Sequence, residues 1–186
     1  MSNKIRIVGI SGSLRGESYN TAALRAAAEL APPNVELQIA DLADIPLYNQ
    51  ELRDRELPAA VTQLSDAIAA ADAVLFATPE YNYSIPGVLK NAIDWVSRQS
   101  PQPLAGKPAA VMSASMGMLG GVRAHYDLRK ILVYLDVHFI NKPEVMIAQA
   151  QQKFDASGAL VDEMTRDFVR QQIAALCDWA ERLQRG

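Results

Sequence analysis

Residues 5–20 read Ile-Arg-Ile-Val-Gly-Ile-Ser-Gly-Ser-Leu-Arg-Gly-Glu-Ser-Tyr-Asn, and this stretch decides the fold. Apart from Arg6, residues 5–10 are apolar and mostly β-branched, which is typical of a buried strand. Gly12 breaks the strand, and the alanine-rich run at residues 21–30 predicts a helix that stops at Pro32-Pro33. A strand, a glycine-containing loop and a helix together predict the first unit of a parallel α/β sheet.

The rest of the chain repeats this alternation. Further strands are predicted at residues 35–40, 73–77, 108–112 and 137–140, and further helices at 61–68, 87–98, 123–135 and from 162 onward. In the last helix, the spacing predicts a buried stripe of Met164, Phe168, Leu176, Trp179 and Leu183. The pattern predicts one domain over residues 1–186, with a flavodoxin-like, five-stranded parallel sheet in the order 2-1-3-4-5 and helices on both faces.

Composition excludes several function classes. The net charge of −3, without a run of Lys or Arg, argues against a nucleic-acid partner. No apolar run reaches the length of a membrane span and residues 1–6 lack a signal-peptide pattern, so we expect a cytoplasmic protein. With one cysteine, Cys177, and two histidines, His125 and His138, the chain has no basis for an intrachain disulfide or a Cys/His metal cluster. We expect Cys177 to be a small buried residue, and His125 and His138 to have surface or packing roles.

The loop at residues 11–20 has the composition of a phosphate-binding site. It leads directly into a helix, whose first N–H groups attract anions. Ser13, Ser18 and Asn20 add polar groups and Arg15 adds one positive charge, which together suit a phosphate monoester. Glu17 is expected to point into solvent. The alternative is a serine-rich turn that only caps the helix.

A second loop, at residues 78–87, carries Tyr81, Asn82 and Tyr83 between prolines. Prolines hold a backbone in place at low entropic cost, and tyrosine and asparagine suit a planar ligand with polar edges. The alternative is a rigid loop that fills a surface groove. A third, glycine-rich loop at residues 113–121 completes the same end of the sheet, where ligands bind in such folds.

These loops resemble the NADPH-dependent FMN reductase family, and more narrowly its bacterial chromate and quinone reductases. The motifs are Gly12-Ser13-Leu14-Arg15 with Ser18 and Asn20, then Pro79-Glu80-Tyr81-Asn82-Tyr83-Ser84-Ile85-Pro86-Gly87 and Leu89-Lys90-Asn91-Ala92-Ile93-Asp94-Trp95. Ser115-Met116-Gly117 with Gly120-Gly121, and Asn141-Lys142-Pro143-Glu144, follow in the family's order. The resemblance covers nearly the whole chain.

The resemblance implies a bound FMN. It implies that the phosphate is held by Ser13, Arg15, Ser18 and Asn20, and that the isoalloxazine is lined by Pro79, Glu80, Tyr81 and Asn82. The remaining implied cofactor-binding residues are Ser11, Leu14, Tyr19, Ser115, Met116 and Gly117. No catalytic side chain is implied, because the flavin N5 carries the chemistry.

The resemblance also implies an activity and an assembly. An oxidoreductase of this kind takes a hydride from NADPH or NADH and reduces quinones, flavins, azo compounds or metal oxyanions such as chromate, in ping-pong order. It implies a homodimer or homotetramer, in which Arg123, Tyr126 and Glu144 pair across a subunit boundary.

Three other functions stay open. A flavodoxin-like electron carrier or a non-catalytic FMN-binding protein would share the loops. A short-chain dehydrogenase is suggested by Tyr126 and Lys130, which have the Tyr-x-x-x-Lys spacing, with Ser113 upstream. Against it, Gly9, Gly12 and Gly16 do not form a Gly-x-Gly-x-x-Gly fingerprint.

Overall fold

A single parallel sheet organises the chain in the computed structural model, which describes residues 4–185. Its main path follows the order β2-β1-β3-β4-β5, with β6 also paired to β4, so the predicted order is confirmed. The strands are β1 Ile5–Ser11, β2 Val35–Ala40, β3 Ala73–Thr78, β4 Pro108–Ala114, β5 His138–Phe139 and β6 Val145–Ile147. The order places β1 and β3 side by side, which is where the direction of winding reverses.

Helices cover both faces of the sheet. They are α1 Tyr19–Leu30, α2 Gln50–Arg55, α3 Ala59–Ala70, α4 Gly87–Val96, α5 Val122–Val133 and α6 Glu163–Arg185, with a short 3-10 helix at Ala150–Gln152. Helices α1 and α6 pack on one face, and α3, α4 and α5 pack on the other. Every residue of β3 and β4 is buried, because these central strands have helices above and below them.

The fifth strand differs from its prediction. Instead of one strand at residues 137–140, the chain pairs with the start of β4 through His138–Phe139 and with its end through Val145–Ile147. The intervening residues include Pro143, which has no N–H to donate to a ladder, and the chain leaves the sheet there. Residues 41–58, for which the sequence predicts no strand or helix, contain α2, whose N-cap Asn49 accepts a hydrogen bond from Leu52 N at 3.1 Å.

The predicted buried stripe of α6 was wrong at its start. Met164 is 70% exposed and Phe168 is 45% exposed, whereas Leu176 is buried as predicted and Trp179 is half-buried. The buried residues of this helix are Thr165, Val169, Gln172, Ile173, Leu176, Cys177 and Ala180. Hydrophobicity alone does not identify this face, since it includes Gln172, whose amide donates to Val111 O at 3.0 Å and to Pro143 O at 3.1 Å. Buried polar groups are tolerated when they are bonded in this way.

Among residues 4–185, no helix is both long enough and apolar enough to cross a membrane.

Candidate flavin-binding site

The first and second loops lie against each other at the carboxyl edge of the sheet. Gly12 N donates to Ala77 O at 2.8 Å. A Cβ atom on Gly12 would lie 3.2 Å from Pro79 Cδ and 3.2 Å from Thr78 Oγ1. The loops that follow β1 and β3 therefore start side by side at one edge of the sheet, as the sequence predicts.

The hydroxyl groups of the first loop are used largely to build the loop itself. Ser18 is the N-cap of α1 and accepts from Thr21 N at 3.3 Å, so the capping interpretation holds for this residue. The hydroxyls of Ser11 and Thr21 lie 2.7 Å apart, and Ser13 Oγ accepts from Arg15 N at 3.3 Å. These bonds fix the curvature of the loop ahead of the helix.

The loop nevertheless keeps the donors that a phosphate needs. The backbone N–H groups of Leu14, Gly16 and Glu17 have no partner within the described residues, and neither does the guanidinium of Arg15. All four residues are exposed, and Glu17 lies at the surface as expected. Free N–H groups beside a helix N-terminus and one guanidinium match the donor set for a single phosphate group. The residues present therefore fit the phosphate end of FMN.

Asn20 has a structural role beyond the one that the resemblance implies. Its side chain is buried, with Nδ2 donating to Ala114 O at 3.0 Å and Oδ1 accepting from Ala114 N at 2.9 Å. These two bonds tie the first turn of α1 to the end of β4. Only one amide hydrogen of Asn20 is left to reach a phosphate.

The second loop is a tight hairpin. Tyr81 and Ser84 exchange two backbone hydrogen bonds, of 3.0 and 3.1 Å. The two central residues, Asn82 and Tyr83, have positive φ angles of 51° and 69°, as a type I′ turn requires. Tyr81 and Asn82 are exposed and Pro79 is buried, so the loop offers an aromatic and amide wall.

Glu80 does not present a free carboxylate. Its Oε1 atom lies 2.6 Å from Arg123 Nη1, and its Oε2 atom accepts from Arg123 N at 3.0 Å. The Arg123 guanidinium also lies 4.0 Å from the centre of the Tyr83 ring. The Tyr126 hydroxyl donates to Glu144 Oε1 at 2.7 Å. Arg123, Tyr126 and Glu144 thus have partners within their own chain, and the pairing across a subunit boundary that the resemblance implies stays a prediction.

The third loop joins the site through its connection to β6. Ser115 N donates to Ile147 O at 3.0 Å, and Gln149 N donates to Gly117 O at 3.1 Å. Met116 is 60% exposed. A cavity of about 310 Å³ lies between Met116, the first loop and a turn before α6. The residues that line it are Arg15, Gly16, Glu17, Ser18, Tyr19, Ala22, Arg25, Met116, Asp155, Ala156, Ser157 and Gly158.

The turn at residues 155–158 was not predicted from the sequence. Its signal was an Asp followed by Ser and Gly shortly before a helix, a composition typical of a tight turn. In the structure, Asp155 Oδ1 accepts from Ser157 N at 2.8 Å and from Ala159 N at 3.0 Å. The hydrogen bond from the Ser157 hydroxyl, followed by those from backbone N–H groups, holds the pKa of Asp155 below its usual range.

The short-chain dehydrogenase alternative is not supported by the geometry. Ser113 is fully buried, and a Cβ atom on Gly121 would lie 3.0 Å from its Cβ atom. Tyr126 and Lys130 are exposed on α5, with the Tyr126 hydroxyl bonded to Glu144. A buried serine and two exposed residues do not face a common substrate.

The remaining reactive side chains have packing roles. Cys177 is buried in the core, and burial raises the pKa of its thiol to about 11. His125 is buried, and Trp95 is fully buried with its Nε1 donating to Pro46 O at 2.7 Å. No group of three or more His, Cys, Asp or Glu residues within 4–185 is arranged to hold a metal ion.

Comparison with known proteins identifies relatives over the full length of the chain. A family model described as NADPH-dependent FMN reductase matches residues 5–152. An NAD(P)H-dependent FMN reductase of Pseudomonas aeruginosa is 55% identical, with 99% of this chain and all of the relative aligned. A quinone reductase of Escherichia coli is 44% identical, with the same coverage. The structure of FerB from Paracoccus denitrificans, a flavoenzyme NAD(P)H:(acceptor) oxidoreductase, superimposes with a TM-score of 0.87 at 36% identity, covering 96% of this chain and 98% of FerB.

Proposed function

We propose, from the premise that this chain belongs to the NADPH-dependent FMN reductase family, that the protein binds FMN in a crevice between the loops at residues 11–20 and 78–87. With FMN bound, it would reduce quinones with electrons from NADPH or NADH. The observation that carries this proposal is the close approach of Gly12 to the second loop, with Gly12 N donating to Ala77 O at 2.8 Å and little room for a Cβ atom beside Pro79. This approach supports the assignment, since both loops start at the point where the winding of the sheet reverses and one nucleotide there would reach both.

The chain's own residues would bind and orient the cofactor. The N–H groups of Leu14, Gly16 and Glu17, with the Arg15 guanidinium, would hold the phosphate. Pro79, Tyr81 and Asn82 would line the ring, and Met116 with Gly117 would border its other side. When bound, FMN supplies the redox chemistry by accepting a hydride from the donor and passing electrons to the acceptor. The protein would contribute orientation and a polar, partly water-excluding environment.

Quinones are the acceptor class that the comparisons favour. Relatives named quinone reductase or NADPH:quinone oxidoreductase come from Escherichia coli and Arabidopsis thaliana, at 44% and 45% identity. Free flavins, azo compounds and metal oxyanions such as chromate form a wider set, which rests on the family resemblance. An exposed wall of Tyr81 and Asn82 suits acceptors of different shapes, since it does not enclose them.

We propose also that the protein acts as a homodimer or homotetramer in the cytoplasm. Exposed apolar side chains around the crevice support an assembly: Leu14 is 56%, Leu119 52% and Met118 75% exposed.

The deciding measurement is an absorption spectrum of the purified protein under anaerobic conditions. We expect a flavin band that NADPH or NADH bleaches without a partner protein and that a quinone then restores. A band that neither donor bleaches would favour the electron-carrier or FMN-binding alternatives. A colourless protein that takes up no added FMN would contradict all three.

Replacement of Arg15 tests the phosphate assignment. Removing one charge-assisted hydrogen bond costs about 1.5–3 kcal/mol, so Arg15→Ala should raise the FMN dissociation constant about 10- to 150-fold. The spectrum of FMN that remains bound should not change, since Arg15 faces the phosphate and not the ring. Fluorescence titration of the apoprotein measures the affinity. Arg185→Ala, at the end of α6, is the matched control, and equal FMN affinity in both variants would refute the assignment.

A further inference from the structure

The turn at residues 81–84 has an energetically unfavourable backbone. Asn82 and Tyr83 both adopt positive φ angles, 51° and 69°. Asparagine tolerates this region, but a bulky residue such as tyrosine rarely occupies it unless its surroundings impose it. Tyr83 is 70% exposed, so packing in the core does not impose it. The two backbone hydrogen bonds between Tyr81 and Ser84 close the turn, and a further contact holds it in place relative to the sheet.

Arg123 makes that contact in three ways. Its Nη1 atom lies 2.6 Å from Glu80 Oε1 and its backbone N–H donates to Glu80 Oε2, so one carboxylate is bound by both the side chain and the main chain. Its guanidinium lies 4.0 Å from the centre of the Tyr83 ring, within the range of a cation–π contact. One residue therefore contacts both Glu80, just before the turn, and Tyr83, within the turn.

Helix α5 gives Arg123 a rigid base. The helix begins after Gly120 and Gly121, and a Cβ atom on Gly120 would lie 2.9 Å from Ala148 N. The two residues that follow Arg123 in the helix, Ala124 and His125, are fully buried. Because the first turn of α5 cannot move freely, the contacts of Arg123 fix the position of the turn relative to the sheet.

The position of the turn depends on Arg123 because the Glu80 carboxylate needs the Arg123 guanidinium as its partner. The Glu80 side chain is only 14% exposed. Without the guanidinium, a carboxylate would lie mostly out of water with one backbone N–H as its partner, and such a charge gains by moving into solvent. Movement of Glu80 would carry Tyr81 with it.

We propose that Arg123 is a positioning residue for the flavin reaction, which holds Tyr81 and Asn82 against the cofactor through Glu80 and Tyr83 without touching the cofactor. The inference rests on the proposed function, since it presumes that these two residues line the flavin. Loss of Arg123 would let the turn relax and leave the ring loosely held, while the phosphate loop stays unchanged.

Substitutions at Arg123 test the inference in the FMN-loaded enzyme. Arg123→Gln should raise the FMN dissociation constant at least 10-fold and weaken circular dichroism in the flavin absorption band. Arg123→Lys, which keeps the charge, should recover part of both. Arg129→Gln is the matched control, because Arg129 lies on the same helix, donates to Ile140 O at 2.7 Å and stacks on Phe139 at 5.0 Å, away from the turn. That variant should lose thermal stability without changing the flavin spectrum.

A readout without flavin separates this inference from the proposed function. In the apoprotein, Arg123→Gln should shift or broaden the amide resonances of residues 81–84, and Arg129→Gln should leave them in place. If FMN never binds but these resonances respond, the proposed function fails, whereas the role of Arg123 in holding the turn is confirmed. If the resonances and the flavin spectrum of Arg123→Gln both match the wild type, the inference is overturned.

Tyr83 supplies a second variant in case Arg123→Gln does not fold. Tyr83→Leu removes the ring under the guanidinium while the Glu80 pair remains. It should weaken FMN at least 3-fold and alter the flavin circular dichroism, whereas wild-type values for both would contradict the inference.

Discussion

Burial of the His125 side chain should make the free energy of unfolding of the protein depend on pH. The side chain is completely buried, and Nε2 accepts from Arg129 Nε at 3.4 Å. Burial, followed by the nearby Arg129 charge, lowers the pKa of His125 to about 4. In the unfolded chain an ordinary histidine has a pKa near 6.5. Between those two values the unfolded state binds more protons than the folded state.

The free energy of unfolding should therefore fall as the pH falls from about 6.5 towards 4, and then level off. The loss due to His125 amounts to about 2 kcal/mol between pH 7.5 and pH 5, from the linkage relation. Urea unfolding at the two pH values measures it. His125→Asn should remove most of this dependence and His138→Asn should not. Equal pH dependence in wild type and His125→Asn would contradict the assignment.

At the scale of a single element, substitutions can test directly which face of α6 is buried. Ile173 is fully buried and Met164 is 70% exposed. Ile173→Ala should cost about 2–5 kcal/mol because it leaves a cavity, whereas Met164→Ala should change the free energy of unfolding by about 0.5 kcal/mol or less. Urea unfolding compares the two variants. A cost for Met164→Ala similar to that for Ile173→Ala would instead favour the stripe read from the sequence.

Some elements of the fold could be predicted from the sequence and others could not. The runs that became β1, β3 and β4 were evident because a central parallel strand is buried on both faces and is apolar along its length. The break between β5 and β6 and the buried face of α6 were not evident. Both depend on neighbours distant in sequence, as the bonds from Gln172 to Val111 and Pro143 illustrate.

At the scale of the whole molecule, the protein has one hydrophobic core on each face of the sheet, and the sheet belongs to both. Trp95 lies in the core under α3, α4 and α5, and Trp179 packs against the core under α1 and α6. We propose that the chain is one domain over residues 1–186, of which residues 1–3 and 186 lie outside the described part. A shared sheet joins the cores, so neither should unfold without the other.

Single-tryptophan variants test this unity. In Trp95→Phe, fluorescence reports on Trp179, and in Trp179→Phe it reports on Trp95. In each variant, the urea transition seen by fluorescence should coincide with the one seen by far-ultraviolet circular dichroism. Two separated midpoints in either variant would mean that the faces unfold independently.

The amino-acid sequence by itself determined the alternation of strands and helices, the strand order and the two loops at the crevice. Backbone preference, burial and loop composition are written in neighbouring residues, and parallel strands then bring their loops to one edge. Tertiary structure alone decided how those loops are held. Asn20 is bonded to Ala114, and Glu80 is bonded to Arg123 rather than left free. Such pairings join segments far apart in the chain, so they exist only once the sheet has formed.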